Sequence, residues 1–142
     1  FILYLWYNVS NEYILCSLCI QRERKISMKT AVIGSRSLFI EDIGEYLPEK
    51  TTEILSGGAR GVDTCAKNYA TKQGIKITEI LPDYKKYGRA APIKRNVEII
   101  EKADAVVAFW DGKSKGTEFV INHCKKHNKT VKIYVINKKG EE

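Results

Sequence analysis

The sequence predicts an α/β domain: an open, doubly wound, mainly parallel five-stranded sheet with helices on both faces. From Met28 onward, apolar runs of strand length alternate with stretches whose apolar residues recur at helical spacing. Five strands and four helices fill about 110 residues, so each connection must carry the chain back over the sheet to begin the next parallel strand. Turns rich in small and cationic residues follow strands one, two and four, at the edge where such sheets bind ligands.

Thr30 to Gly34 reads as the first, buried strand, and Ile40, Ile43 and Leu47 mark a short helix stopped by Pro48. Thr52 to Ser56 is the second strand. Val62, Cys65, Ala66, Tyr69 and Ala70 then share one helical face, closed by Gly74 as a C-terminal cap. Ile75 to Leu81 forms the third strand, ended by Pro82, and Asp83 to Ala91 reads as a polar loop. Pro92 sits where a first helical turn tolerates it, and Ile93, Val97, Ile100 and Ala103 line the helix that follows. Asp104 to Trp110 is the fourth strand, Thr117 is placed to cap a helix running to about His127, and Thr130 to Ile136 is the fifth strand. The sequence contains no internal repeat.

A chain of 142 residues, 44% hydrophobic and 29% charged, suits one globular domain with its own core. Lys and Arg outnumber Asp and Glu by 24 to 17, a net +7, but the charge is interleaved with Ile, Val and Tyr. That excludes a disordered acidic chain and argues against a histone-like arm. Three Pro and ten Gly exclude collagen-like and low-complexity classes.

Met28, the only methionine, stands directly before the first strand. Residues 28–142 are therefore expected to form the domain, and residues 1–27 to be a non-native or peripheral extension translated from upstream sequence. A membrane anchor over Phe1 to Ile20 is disfavoured by Asn8, Asn11 and Glu12 in mid-span, and a secretion signal by the missing basic start. Cys16 and Cys19 fall in the extension, while Cys65 and Cys124 occur singly in helices, a usage that fits reduced cytosolic thiols and a cytoplasmic location. Cys16-x-x-Cys19 and His123-x-x-x-His127 each have zinc-ligand spacing, but the long gap between them is unlike a finger and two His on a Lys-rich helix read as a solvated face. No metal site is expected.

The turns carry the chemistry. Strand one leads into Gly34-Ser35-Arg36, strand two into Ser56-Gly57-Gly58-Ala59-Arg60-Gly61-Val62-Asp63, and strand four into Asp111-Gly112-Lys113-Ser114-Lys115-Gly116-Thr117-Glu118. Gly57, Gly58 and Gly61 clear side chains from a strand-to-helix turn so that backbone N–H groups can close on an anion, and Arg36 and Arg60 add guanidinium groups suited to phosphate. A dinucleotide fingerprint is absent, since the first turn lacks GxGxxG. A Walker loop ending in Gly112-Lys113-Ser114 would need glycine where Val107 stands.

SGGARGVD at Ser56 to Asp63, IGSRS at Ile33 to Ser37, YGRAAPIKRN at Tyr87 to Asn96 and AFWDGKSKGT at Ala108 to Thr117 resemble the small SLOG domains related to YspA and YpsA, over nearly all of Met28 to Ile136. These are similar to the DNA-processing protein DprA, which shares the Ser-Gly-x-Ala-Arg-Gly order, and to the Lonely Guy phosphoribohydrolases. The resemblance implies a Rossmann-like domain that binds a nucleotide or nucleotide-derived phosphorylated ligand, as sensor or enzyme, with no settled activity. It maps the phosphate cradle to Gly57, Gly58, Ala59, Arg60 and Gly61, with Gly34, Ser35 and Arg36 alongside. Arg95 and Asn96 lean to the same crevice, and Gly116 and Thr117 open the fourth helix for a second phosphate. Asp63 holds a ribose hydroxyl or orients Arg60, and Trp110 and Tyr87 are candidates to stack on a base.

The phosphoribohydrolases follow the pattern G-G-x-G-T-x-x-E, with a carboxylate for the developing ribosyl cation. Here Val120 stands at the Glu position, and Lys113 to Lys115 replaces the glycine-rich approach. Catalysis of that kind would fall to Glu118 or Asp63. The alternative from a different class is a DprA-like single-stranded DNA-binding protein: the extension has three cations against two carboxylates, leaving +6 for the domain, and Lys113, Lys115, Lys125, Lys126 and Lys129 could meet a phosphate backbone. No membrane partner is expected, and a homodimer through helix faces is an open alternative. Removing Phe1 to Ser27 is expected to leave a domain with a cooperative thermal melt; its loss would make the extension a structural element.

Overall fold

The computed structural model describes residues 6–7, 13–14 and 27–137. Ahead of Met28, β1 (Trp6–Tyr7) and β2 (Tyr13–Ile14) pair antiparallel. The main sheet comprises β3 (Met28–Gly34), β4 (Thr51–Ser56), β5 (Lys76–Glu79), β6 (Ala105–Trp110) and β7 (Val131–Val135). Its order is β5-β4-β3-β6-β7 and every pairing is parallel. The connections hold a 3-10 turn (Ile43–Tyr46), α1 (Val62–Gln73), α2 (Tyr84–Tyr87), a second 3-10 turn (Gly88–Ala90), α3 (Ala91–Lys102) and α4 (Lys115–Lys126).

The central strands β3 and β6 carry runs of buried apolar residues because both faces of the sheet are covered there, while the edge strands β5 and β7 are more polar. Successive side chains point to opposite sides. Val32, Ile54, Val107 and Phe109 therefore pack against Val62, Cys65, Ala66 and Ala70 of α1 and against Leu38, Ile40 and Ile43. Ala31, Ile33, Leu55 and Val106 meet Ile99 and Ile100 of α3, Ala103, and Val120 and Cys124 of α4. The chain begins the sheet at its centre, runs to one edge through β4 and β5, then returns to build the other through β6 and β7. Strand order thus reverses between β3 and β6, whose ends pair Gly34 with Phe109. That reversal opens a crevice beyond the strand ends.

Gly74 caps α1 as expected: it takes the left-handed conformation (φ 68°) and donates to the carbonyls of Ala70 and Thr71. Several local expectations are corrected. The helix expected around Ile40 to Leu47 is only the 3-10 turn, started by the Asp42 carboxylate accepting from Gly44 N at 2.9 Å. The expected polar loop 83–91 is helical in two short pieces, because Asp83 Oδ1 accepts from Lys86 N at 3.0 Å and nucleates a turn that Gly88 ends. Strand β5 is shorter than expected, though Ile80 N still donates to Ser56 O. Helix α3 buries Ala91, Asn96, Ile99 and Ile100, a phase that leaves Ile93 exposed. Helix α4 starts two residues before Thr117, with Ser114 at its N-cap, and Thr117 is buried in the first turn.

Cys65 and Cys124 are free and buried; Cys16 and Cys19, and with them the zinc pairing, lie outside the described residues. Among the described residues, no group of three or more His, Cys, Asp or Glu is disposed to hold a metal. None of their helices is long and apolar enough to cross a membrane.

Phe109 closes the α1 side of the core. It is fully buried, with Tyr46 edge-on at 5.1 Å and Tyr134 stacked at 5.5 Å between ring centroids. Phe109→Ala is expected to cost about 3–5 kcal/mol, measured by urea unfolding. A loss below about 1 kcal/mol would mean that this core does not close around the ring.

Candidate functional site

A cavity of about 390 Å³ lies in the crevice where strand order reverses. Gly34, Arg36 and Ser37 enter it from the end of β3, and Ala59 and Asp63 from the turn into α1. The start of α3 adds Pro92, Arg95 and Asn96. The turn after β6 and the start of α4 add Asp111, Ser114, Gly116 and Thr117.

Three helices begin at this cavity, and none has a side-chain cap. The N-caps are Gly61 for α1, Ala90 for α3 and Ser114 for α4, and in each case no side chain accepts from the first-turn N–H groups. Ser114 has a hydroxyl, but its Oγ meets Thr117 Oγ1 at 3.5 Å instead. Away from the cavity, the short 3-10 turn and α2 are both capped by aspartates. Such first turns present free N–H groups and the positive ends of helix dipoles at α1 and α4, whereas α3 continues the 3-10 turn before it: Ala91 N–H donates to Gly88 O and Pro92 has no N–H.

Two glycines let the walls approach. Gly61 has φ 77°, and a Cβ there would stand 2.6 Å from the Arg36 carbonyl oxygen, so the turns after β3 and β4 touch only because no side chain intervenes. Gly57 lies against the Arg95 guanidinium, whose Cζ would be 2.7 Å from an added Cβ. Arg95 Nη1 donates to the Gly57 carbonyl at 2.6 Å and Nε donates to Asn96 Oδ1 at 2.9 Å. These bonds fix the guanidinium at the wall of the cavity.

The charges are held under tension. Asp63 is 6% exposed, and burial pushes its carboxyl above the usual range, an effect only partly offset by the Ala59 N–H that donates to Oδ2 at 3.1 Å and by Arg95 and Arg36. Burial likewise lowers Arg95, with Asp63 opposing and Arg36 adding to the shift. Asp111 shows the opposite behaviour. Its Oδ1 accepts from Lys113 N at 2.9 Å and Ser114 N at 2.7 Å, and Oδ2 accepts from Ser37 Oγ at 3.0 Å. These donors, the two backbone groups first, hold its pKa down at about 2.

Of the residues singled out in the sequence, Gly34, Arg36, Ala59, Asp63, Arg95, Asn96, Gly116 and Thr117 come together at the cavity. Ser35 does not line it: buried, it accepts from Asp111 N at 3.2 Å through its Oγ and latches the first turn to the fourth strand. Gly57 backs Arg95, Gly58 lies beside Leu81, and Gly61 ends the turn. Arg60 is exposed and lies outside the lining. Glu118 also lies outside it, paired with Lys115 at 3.1 Å. Trp110 donates from Nε1 to the Ser114 carbonyl at 3.1 Å, and Tyr87 sits on α2 under Lys86, so neither reaches the lining. Sequence reasoning missed Ser37, Asp111 and Ser114. The signal was there in Asp111-Gly-Lys-Ser, an aspartate followed at two and three residues by amides it can accept from.

Comparison with known protein families matches residues 19–132 to DNA recombination-mediator protein A. The chain belongs to that family. The expected SLOG and DprA kinship therefore holds, and the match takes in every cavity-lining residue of this DNA recombination-mediator protein A relative. Searches of curated proteins and of solved structures returned no match.

Because the folded pKa of Asp111 is depressed from 3.8 to about 2, its contribution to stability is fully present above pH 3.8 and is lost as pH falls through about 2. Asp111→Asn keeps an acceptor for both backbone donors but removes the charge. The stability difference between wild type and variant, followed by denaturant unfolding against pH, is expected to shrink across that window. A difference that stays constant would show that the charge contributes nothing.

Proposed function

We propose that the domain from Met28 onward binds the phosphate end of a nucleotide or nucleotide-derived ligand in the cavity where strand order reverses. The observation that carries this reading is the convergence of two uncapped helix starts, those of α1 and α4, with Arg36 and Arg95 on one half-open cavity. An anion placed there gains free N–H groups, two positive dipole ends and two guanidinium groups at once. Asp63 repels phosphate, so its place in the same wall suits a sugar hydroxyl, which would donate to its carboxylate. The ligand is then an anion with a hydroxyl-bearing part, as a nucleotide is.

Of the two carboxylates considered for glycosidic cleavage, only Asp63 lines the cavity, and Val120 is buried in the core. Binding, as a sensor or ahead of a reaction, is thus better supported than phosphoribohydrolase chemistry. Family membership favours a second reading, contact with single-stranded DNA. Lys113 and Lys115 stand exposed at the mouth of α4, and Lys125 and Lys126 at its far end. DNA held by these lysines would bind with a steep salt dependence, whereas a ligand enclosed in the cavity would respond weakly.

The cavity reading is tested by calorimetry with nucleoside monophosphates and inorganic phosphate. Arg36 is exposed and removes no core volume, so Arg36→Ala is expected to leave the thermal melt unchanged and to weaken binding by about 1.5–3 kcal/mol, the worth of a hydrogen bond to a charged group. Arg60→Ala, outside the lining, is expected to change binding by less than about 0.5 kcal/mol. The reverse order would move the anion site out of the cavity and onto the 57–61 turn.

A further inference from the structure

The segment between β5 and α3 has no part in the cavity lining, yet its composition is unusual for a connector. From Asp83 to Ala90 no side chain is buried. Leu81, Tyr84, Tyr87 and Ile93, at 67%, 58%, 39% and 48% exposure, are four of the six large exposed hydrophobic residues among those described. They lie on or next to elements that build the cavity. Leu81 reaches over Gly58, where a Cβ would stand 2.8 Å from its Cδ2, α2 with Tyr84 packs against α3 with Arg95, and Ile93 follows the lining residue Pro92. Lys85, Lys86 and Arg89 interleave with them, and Lys86 Nζ stands 4.9 Å from the centre of the Tyr87 ring.

Exposed aromatics interleaved with cations, on a helix packed against the cavity wall, match one ligand chemistry: a nucleobase carried on a phosphate ester. Tyr87 already has a lysine over its ring, whereas Tyr84 is the more exposed. We propose that Tyr84 is the surface on which the base of the bound nucleotide stacks, and is therefore the residue that makes the domain prefer nucleotides over other phosphate esters. This rests on the phosphate reading of the cavity. It assigns the base a place outside the enclosure, with the sugar at Asp63 between the two.

The test is calorimetry of wild type, Tyr84→Ala and Tyr84→Phe with the monophosphates of adenosine, guanosine, cytidine and uridine, and with ribose 5-phosphate. Wild type is expected to bind at least one nucleotide more tightly than ribose 5-phosphate. Tyr84→Ala should lose roughly tenfold in affinity for that nucleotide, leave ribose 5-phosphate unchanged, and be rescued by Tyr84→Phe. Equal losses for both ligands, or no loss, would overturn the stacking assignment while leaving the cavity reading intact. Equal wild-type affinity for ribose 5-phosphate and all four nucleotides would do the same. If wild type binds none of the five, both readings fall. Sedimentation of the same proteins gives a further outcome: a dimer that Tyr84→Ala dissociates would show the surface to be covered by a second copy and would also overturn the proposal.

Discussion

Strand β3 is paired on both edges and covered on both faces, and the rest of the molecule is arranged around keeping it so. Its neighbours β4 and β6 hold it in parallel register, while Ala31 and Ile33 face one helical layer and Val32 the other. β3 and β6 lie side by side but lead to strands on opposite sides, β4 and β7, so their connections cannot run the same way. The turns after β3 and β6 therefore part, and the cavity is the space they leave. Ser35 keeps the parting from widening, because its N–H donates to the Phe109 carbonyl while its hydroxyl accepts from Asp111 N.

What lines that space is costly to hold. A carboxylate raised by burial and a guanidinium lowered by it both oppose folding, and the first-turn N–H groups of α1 and α4 lack a side-chain acceptor. Elsewhere the costs are met: the 3-10 turn Ile43–Tyr46 and α2 carry aspartate caps, and Glu53, buried on β4, has its carboxyl lowered by the Thr78 hydroxyl that donates to it at 2.6 Å. Buried, opposed charges are thus gathered in the wall of the crevice.

The strands and the capped α1 were legible because both rest on short-range pattern: continuous apolar runs for doubly covered strands, a helical face ended by Gly74. Helix phase was harder. Ile93 fits the apolar spacing of α3, but the helix turns Asn96 inward to meet Arg95, and the isoleucine is left at the rim. The same limit governed the site. Turn composition located Arg36, and the family resemblance added Asp63, Arg95 and Thr117, but no pattern along the chain tells which side of a turn a side chain takes, so Arg60, one residue before the Gly61 bend, was grouped with residues from which the bend separates it. Asp111 was missed although its local pattern was legible, because an aspartate that caps its own turn reads as a turn former and not as a cavity wall.

The polar groups that line the cavity share a property that bears on how such a domain diverges. Arg36, Ser37, Arg95, Asp111 and Ser114 belong to neither apolar cluster. Exchanging them alters the chemistry of the crevice without removing a side chain from either apolar cluster. One framework can thus carry unlike crevices, changed one residue at a time at turns and helix starts.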